Sequence, residues 1–321
     1  MTGFRLFARK PRRAPSKARR AVVAAFAALA VWVTGSALGT ASTPHAQAVP
    51  QFAMGIAHPA EAFPVLSGKK PIFVLALGSD ARPGQPIDHE RSDSIHIIGL
   101  NPAKKQASIL GFPRDSWVEI PGHGSEKITS AMSSGGPQLT IQTVENLTGI
   151  HIDFYVLTSF PGLKSMIDAI GGVTVNVVQP MHDHFSGSDF DPGEIHMTGA
   201  QALAFARDRH SFSRGDLDRS ENQGRLFLAT LEEFRKDFQK DPGVMLTYIG
   251  AGLRNVKTDI PLDEVVKLGF TASKVPAENI ENCVVPASGG TVGDQSVVFI
   301  QSGATALYSD MKKDGVLGGC S

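Results

Sequence analysis

The sequence lacks the short motifs that mark several large enzyme classes. It contains no Walker loop, no GxSxG nucleophile elbow and no HExxH zinc motif. Neither Ser94 nor Ser211 has a convincing His/Asp partner in the sequence. Covalent catalysis by a nucleophilic side chain therefore has no support, and the chemistry is left to carboxylates combined with arginines.

Cysteine is scarce, since Cys283 and Cys320 are the only two in 321 residues. They do not have the spacing of zinc ligands. In an exported protein, an even pair near the C-terminus suggests one disulfide that pins the tail. Two free thiols are the alternative.

Acidic residues are missing from residues 1–20, which carry eight basic side chains. The remaining residues, 21–321, hold 23 basic and all 31 acidic residues, a net charge of −8 in a chain that is neutral as a whole. A negative body argues against general nucleic-acid binding, which usually needs a broad basic face. We therefore expect no nucleic-acid partner.

Charge is also absent between residues 21 and 60. Residues 21–39 are long enough to cross a bilayer as a helix, and the preceding arginines favour a cytoplasmic tail at 1–20. A cleaved signal peptide is the alternative, with Ala46-Gln47-Ala48 as its cleavage site. Both interpretations place the body outside the cytoplasm, after a linker at 40–69 that is rich in Ala, Pro, Ser and Gly.

The body alternates apolar runs with amphipathic segments and contains no internal repeat, which predicts an α/β fold. Strands are predicted at 71–77, 91–100, 106–112, 153–158, 173–178, 280–286 and 297–300, the second and third as a hairpin. Helices are predicted at 137–149, 160–170, 199–207, 217–238, 243–256 and 262–273. The polar segment 181–197 invites a metal interpretation, but its His and Asp spacing fits neither a zinc protease nor a calcium loop. A polar, mobile loop is expected there.

Charged residues cluster where the first three predicted strands end or begin. Asp80 and Arg82 follow the first strand, Asp93 lies at the start of the second, and Arg114 and Asp115 follow the third. Neighbouring strands are about 4.8 Å apart, so both Asp80 and Asp93 could reach one ion. Magnesium is typically held by one or two carboxylates while substrate phosphates complete its shell. A Mg²⁺ site is predicted, with Mn²⁺ as an alternative.

Residues 198–225 form an apolar helix that runs into a charged loop with five arginines: Arg207, Arg209, Arg214, Arg219 and Arg225. Such a loop can be a solvated, salt-bridged corner. It can also hold a phosphorylated ligand, because the planar guanidinium group matches phosphate oxygens. Together with the carboxylates, these arginines suit a magnesium-bound diphosphate ester.

Five segments in the right order carry a family resemblance: GSDAR (78–82), RSDSI (91–95), FPRDSWVEIPGHGSEKI (112–128), Gly-Gly-Val (171–173) and ALAFARDRHSFSRGDLDRSENQ (202–223). Together they resemble the LytR-CpsA-Psr family of cell-wall glycopolymer ligases, over about residues 70–240. The resemblance implies an α/β/α layered catalytic domain around a central mixed sheet, with a hydrophobic tunnel for a polyprenyl chain. Residues 241–321 would complete the extracellular domain, and this tail resembles actinobacterial members. The resemblance also favours the anchor over the signal peptide, and so a single-pass membrane protein with its N-terminus inside.

The resemblance assigns roles residue by residue. It implies that Asp80 and Asp93 hold magnesium, and that Arg82 and Arg114 lie near the diphosphate. It further implies a phosphate contact for Lys127, a diphosphate grip by Arg207 and Arg209, and nearby polar contacts for Arg219 and Gln223. Asp115 would orient Arg114, whereas Arg214 lies in a segment that the family varies.

The resemblance implies transfer of a glycopolymer from a polyprenyl-diphosphate donor to a peptidoglycan hydroxyl at the membrane. Two alternatives stay open. A hydrolase that cleaves lipid diphosphates would use the same magnesium and arginines, with water as the acceptor. A non-catalytic lipid or glycan carrier would bind the same molecule without turnover.

Overall fold

A computed structural model describes residues 70–320. The predicted cytoplasmic tail, anchor and linker at 1–20, 21–39 and 40–69 lie outside the described residues. Within 70–320, no helix combines the length and the apolar character that a membrane span requires.

Fourteen strands and seven α-helices follow one another in the described chain. The strands are β1 (Ile72–Ser79), β2 (Ser92–Asn101), β3 (Gln106–Gly111), β4 (Trp117–Ile120), β5 (Gly124–Lys127), β6 (Phe154–Ser159), β7 (Val173–Val177), β8 (Met181–Asp183), β9 (Ser188–Phe190), β10 (Gly193–Met197), β11 (Val256–Thr258), β12 (Ile280–Val284), β13 (Ala287–Val292) and β14 (Gln295–Ile300). The helices are α1 (Ser130–Thr148), α2 (Phe160–Ala169), α3 (Gly199–Arg207), α4 (Asp216–Lys240), α5 (Val244–Asn255), α6 (Leu262–Ala272) and α7 (Ala304–Asp314).

A six-stranded mixed sheet with the order β11-β6-β1-β2-β3-β12 forms the centre. Strands β1, β2 and β3 are antiparallel neighbours, as predicted for the hairpin, whereas β6 runs parallel to β1 and β12 runs parallel to β3. Both edge strands, β11 and β12, come from the part of the chain after residue 240. The sheet is therefore built jointly by the predicted catalytic domain and the C-terminal segment.

One face of this sheet packs in a hydrophobic core and the other lines a cavity, because successive strand residues point to opposite sides. Leu75 and Leu77 of β1 belong to a hydrophobic core that also contains side chains of α1 and α7. Ala76 and Gly78 line a cavity that is covered by side chains of α2, α4, α5 and α6. Helices thus lie on both faces, and the predicted α/β/α arrangement around a mixed sheet is confirmed.

The segment 181–197 corrects one prediction. It contains β8, β9 and β10 and is not a mobile loop: β8 pairs with β9, and β10 pairs with β7. Its polar residues alternate with buried ones such as Met181 and Phe190, which pack in a second core. The strands were missed because each is short and its polar residues dominate the local composition.

The other differences are local. Helix α1 begins at Ser130, seven residues before the predicted start, and is kinked at Gly135 and Gly136, so Pro137 opens its second part as predicted. The hairpin β4–β5, strands β11 and β13 and helix α7 were not predicted. The Cys283–Cys320 disulfide is confirmed, and it ties the C-terminal tail to β12.

Candidate active site at the junction of two cavities

An apolar cavity of about 590 Å³ lies between the central sheet and the helices of one face. Small residues on that face of the sheet, Ala76, Gly78 and Ala107, leave the room for it. Most of the remaining lining comes from the aliphatic and aromatic side chains of α2, α4, α5 and α6. A cavity of this lining suits a long hydrocarbon chain, since apolar surface gains by leaving water.

A second cavity, of about 260 Å³, is polar and shares three lining residues with the first: Asp93, Arg207 and Arg219. Its other lining residues are Arg114, Asp183, Phe185, Ser186, Arg209 and His210. Four guanidinium groups therefore face two carboxylates. The excess positive charge lies where the polar cavity meets the apolar one.

Helix α3 delivers two of these arginines. Thr198 and Gln201 form a capping box at its start, and Arg207 is its last residue. The backbone of Asp208 is extended, so the helix ends there. Arg207 and Arg209 lie on either side of this residue. The Arg207 guanidinium lies 5.0 Å from the centre of the Phe160 ring, a cation–π contact that holds it at the junction.

Arg219, on the first turns of α4, is buried, with its side chain only 7% exposed. Its Nη2 lies 3.2 Å from Oδ1 of Asp216, and Arg209 Nη1 lies 3.8 Å from the same oxygen. Burial lowers the pKa of Arg219, against the effect of the neighbouring Asp216 carboxylate. A guanidinium group that has lost its water shell interacts strongly with any anion that reaches it.

Asp115 and Asp216 lie beside the arginines of the polar cavity: Asp115 is near Arg114, and Asp216 is near Arg209 and Arg219. Burial raises the pKa of Asp216, and the adjacent Asp115 acts in the same direction. Burial would also raise the pKa of Asp115, but hydrogen bonds from the Asp216 carboxyl group and from Lys127 hold it below its usual range. Asp115 also lies 3.8 Å from Arg114 Nε. It does not line either cavity, in keeping with its predicted orienting role.

Asp93 owes its position to an irregularity in β2. Gly78 faces Ser94 and Ser79 faces Ser92, so Asp93 is the extra residue of a β-bulge. A bulge redirects a side chain and is common beside active sites. One oxygen of Asp93 accepts a hydrogen bond from Arg114 Nη1 at 2.6 Å.

Asp80 follows β1 at the same end of the sheet, where its backbone N–H bonds to Arg91 O at 3.0 Å. Burial raises the pKa of Asp80, and the negative charges of Asp93 and Glu90 raise it further. Asp93 lines both cavities, whereas Asp80 lines neither. The two carboxylates fit the donor set of Mg²⁺, which takes one or two carboxylates plus phosphate and water oxygens. No larger group of ligands exists among residues 70–320 except Glu281 with the two disulfide cysteines, whose sulfurs are already bonded.

Some predicted site residues lie outside the cavities. Arg82 is exposed, and Lys127 lies 3.0 Å from Asp115 Oδ1, so their phosphate contacts stay predictions. Gln223 lines the apolar cavity and donates to the backbone carbonyl groups of Asp93 and Ala206, at 3.3 and 3.2 Å. It ties β2 to the end of α3.

The five arginines of 198–225 divide into two groups. Arg207, Arg209 and Arg219 line the polar cavity. Arg214 pairs with Asp218 and Glu221, and Arg225 pairs with Glu221, both away from the cavity. Arg214 is therefore a surface ion-pair residue and not part of the arginine cluster.

Four residues of the polar cavity were not predicted: Asp183, Phe185, Ser186 and His210. Three of them belong to the segment 181–197, for which the sequence predicts a loop. The cluster of polar residues at 181–197 was the one sign in the sequence that this segment contributes to a site. Its position beside the arginines follows only from the pairing of β8 with β9.

The structure also gives Ser94 the partner that the sequence did not show. Its Oγ lies 3.1 Å from Nδ1 of His96, whose Nε2 lies 3.0 Å from Ser220 O. Burial lowers the pKa of His96 to about 4, so the imidazole is neutral at neutral pH. The chain of contacts Ser94–His96–Ser220 joins β2 to α4.

The cavities, taken together, accommodate a molecule with an anionic group joined to a long apolar chain. Guanidinium groups suit the anion and carboxylates suit a cation beside it, so the metal and phosphate contacts of these residues stay predictions. Arginines that are fixed before the ligand arrives also stabilise negative charge that develops during phosphoryl transfer.

Known proteins share this architecture. A profile of the LytR_cpsA_psr family matches residues 40–313. The chain is 35% identical over 232 residues to the polyisoprenyl-teichoic acid–peptidoglycan teichoic acid transferase TagU of Oceanobacillus iheyensis, covering 70% of this chain and 69% of that protein. The crystal structure of B. subtilis TagV superposes with a TM-score of 0.65 at 29% identity, over 76% of this chain and 96% of that chain. TagT bound to LI-WTA superposes with a TM-score of 0.61 at 25% identity, over 77% and 89% of the two chains. With these matches the resemblance carried by the five sequence segments is confirmed: the chain belongs to the LytR-CpsA-Psr family.

Proposed function

We propose that the protein is a ligase that transfers a glycopolymer from a polyprenyl-diphosphate carrier to a hydroxyl group of peptidoglycan. The observation that carries this proposal is the junction of the two cavities at Asp93, Arg207 and Arg219. A diphosphate bound at the junction would place its lipid chain in the apolar cavity. Its glycan would then extend from the polar one.

In this reaction an acceptor hydroxyl attacks the phosphorus that carries the glycan. A new P–O bond forms, the bond to the lipid-side phosphate breaks, and polyprenyl phosphate leaves while the hydroxyl proton passes to solvent. Arg207, Arg209 and Arg219 neutralise the charge that grows on the departing phosphate. Asp80 and Asp93 would hold Mg²⁺, which supplies charge neutralisation of the phosphate oxygens.

The relatives support the substrate class. TagU of O. iheyensis is named as a polyisoprenyl-teichoic acid–peptidoglycan teichoic acid transferase, and TagT has been crystallised with LI-WTA bound. For this chain the proposed donor is a polyprenyl-diphosphate-linked glycan and the proposed acceptor is peptidoglycan. We place the enzyme at the cell membrane through a single span at 21–39, with residues 70–321 outside the cell.

A transfer assay tests the proposal. The full chain in detergent is given Mg²⁺, a polyprenyl-diphosphate oligosaccharide and a peptidoglycan oligomer, and the products are separated by mass. We expect glycan joined to peptidoglycan, and we expect an Asp93→Asn variant to lose its response to added Mg²⁺.

The other outcomes separate the alternatives. Release of the glycan phosphate alone would show the hydrolase, and bound lipid without any product would show the carrier. A retained magnesium response in Asp93→Asn would place the metal elsewhere.

A further inference from the structure

The tip of the β8–β9 hairpin presents an aromatic ring to solvent beside the polar cavity. Phe185 is 66% exposed, although large aromatic side chains usually gain by burial. Its ring centre lies 3.9 Å from that of His184 and 4.9 Å from that of His210. An apolar surface edged by two imidazole groups is thereby formed.

This exposed ring is held in place by a buried network. Asp208, fully buried, accepts hydrogen bonds from Ser188 Oγ, Ser211 Oγ and the backbone N–H groups of His210 and Ser211. The neighbouring carboxylate, Asp183, accepts from the Phe185 backbone N–H at 3.0 Å and lies 3.0 Å from His210 Nδ1. A surface fixed before binding loses little conformational freedom when a ligand stacks on it.

The location restricts what can bind there. Phe185 and His210 line the polar cavity, together with Arg114 and Arg209, and do not line the apolar one. A lipid chain that leaves the junction through the apolar cavity does not reach the ring. The part of the substrate that passes Phe185 is whatever is attached to the other side of the diphosphate.

Resting on the proposed function, we propose that Phe185, with His184 and His210 beside it, is a stacking platform for a pyranose ring next to the diphosphate. A pyranose has a C–H face that packs on an aromatic ring and a hydroxyl edge that imidazole nitrogens can bond. The sugar can belong to the donor glycan or to the acceptor strand, since both approach the same phosphorus.

The same hairpin disfavours a membrane contact for this ring. Asp189 lies on β9 with its side chain 89% exposed, 2.7 Å from His182 Nδ1. Inserting Phe185 into a bilayer would bring this carboxylate toward hydrocarbon, at a high desolvation cost.

Binding of two short-chain ligands to the full chain in detergent with Mg²⁺ tests the platform: a prenyl diphosphate, and the same prenyl diphosphate bearing N-acetylglucosamine. We expect Phe185→Ala to weaken binding of the sugar-bearing ligand about 3- to 10-fold and to leave the bare one unchanged. Phe185→Trp should retain the affinity. Phe299→Ala, which removes another exposed phenylalanine that lines neither cavity, is the matched control.

The outcomes of these measurements distinguish a donor sugar from an acceptor sugar. If Phe185→Ala changes neither Kd but raises the KM for the peptidoglycan oligomer by a similar factor, the platform holds the acceptor sugar. If both Kd values and this KM are unchanged, or if both ligands weaken equally, the platform is wrong. An effect confined to binding of phospholipid vesicles would also overturn it. A wild-type chain that binds neither prenyl ligand would contradict the proposed function itself.

Discussion

Four guanidinium groups reach the polar cavity, and they differ in how firmly the protein already holds them. Arg114 is bonded to Asp93 at 2.6 Å, and Arg219 is buried beside Asp216. Arg207 lies over the Phe160 ring. The Arg209 side chain is 42% exposed, and its one ion-pair partner among the described residues is Asp216, at 3.8 Å. Arg207 and Arg209 are thus the two arginines with the most hydrogen-bonding capacity left for a ligand.

We predict that Arg209→Ala lowers kcat/KM for transfer at least about tenfold, because a charge-assisted bidentate contact contributes roughly 1.5–3 kcal/mol. Arg214→Ala is the matched control. Arg214 lies in the same loop but pairs with Asp218 and Glu221, so its loss should change kcat/KM by less than about twofold. Steady-state kinetics of the two variants decide it. Equal effects from both would remove Arg209 from the phosphate site.

The elements place these side chains through close backbone contacts. Helix α3, whose end carries Arg207, begins against α2: a Cβ on Gly199 would lie 2.2 Å from the Lys164 carbonyl oxygen. The Gly199 N–H bonds to Asp168 at 2.7 Å at the same contact. Only glycine allows the start of α3 to lie this close to α2. Since α3 is a rigid helix, this contact also fixes the position of its other end, where Arg207 lies.

We therefore predict that Gly199→Ala destabilises the protein by about 1–3 kcal/mol, since the clash is with backbone atoms and α3 must move. Gly252→Ala, in the interior of α5 with no atom near the added methyl group, should be neutral or stabilise by up to about 1 kcal/mol. Denaturant unfolding of both variants measures the difference. If Gly199→Ala unfolds at the wild-type midpoint, the contact between α2 and α3 is looser than described.

At the scale of the whole molecule, one face of the central sheet is filled and the other is not. Core side chains of α1 and α7 fill the first face, and the helices of the second face enclose the apolar cavity of about 590 Å³. Proteins are normally packed without large voids, so an apolar cavity of this size is kept for a ligand. In the proposed function, the lipid would occupy this cavity and the diphosphate the polar cavity that adjoins it.

We predict that Ile249→Trp, which fills part of this cavity from α5, lowers kcat/KM for a long polyprenyl donor about tenfold. Displacing two CH₂ groups of the chain from the cavity costs about 1.6 kcal/mol. A donor with a short prenyl chain should be affected much less. Leu246→Trp is the control, because Leu246 lies on the same helix, is 68% exposed and does not line the cavity. Equal loss with long and short donors would mean that the lipid lies elsewhere.

The sequence alone predicted the fold class and the family, and it favoured the disulfide over two free thiols. The continuous apolar run of Ile72–Ser79 and the alternation of Val173–Val177 are local patterns, so the major strands and helices could be predicted closely. The arginines at the end of α3 could also be predicted, because a capped helix and the charged loop after it are adjacent in the chain.

Several features of the site depend on contacts between residues that are distant in the sequence. The β-bulge that singles out Asp93 requires the register of β1 against β2, and the division of Arg209 from Arg214 requires knowing which carboxylates each one meets. The short strands β8 and β9 are stable only through pairing and burial against the second core, so their own composition resembles a loop. The position of Phe185 beside the arginines follows from that pairing, since residues far apart in the sequence become neighbours only when the sheet and its helices pack.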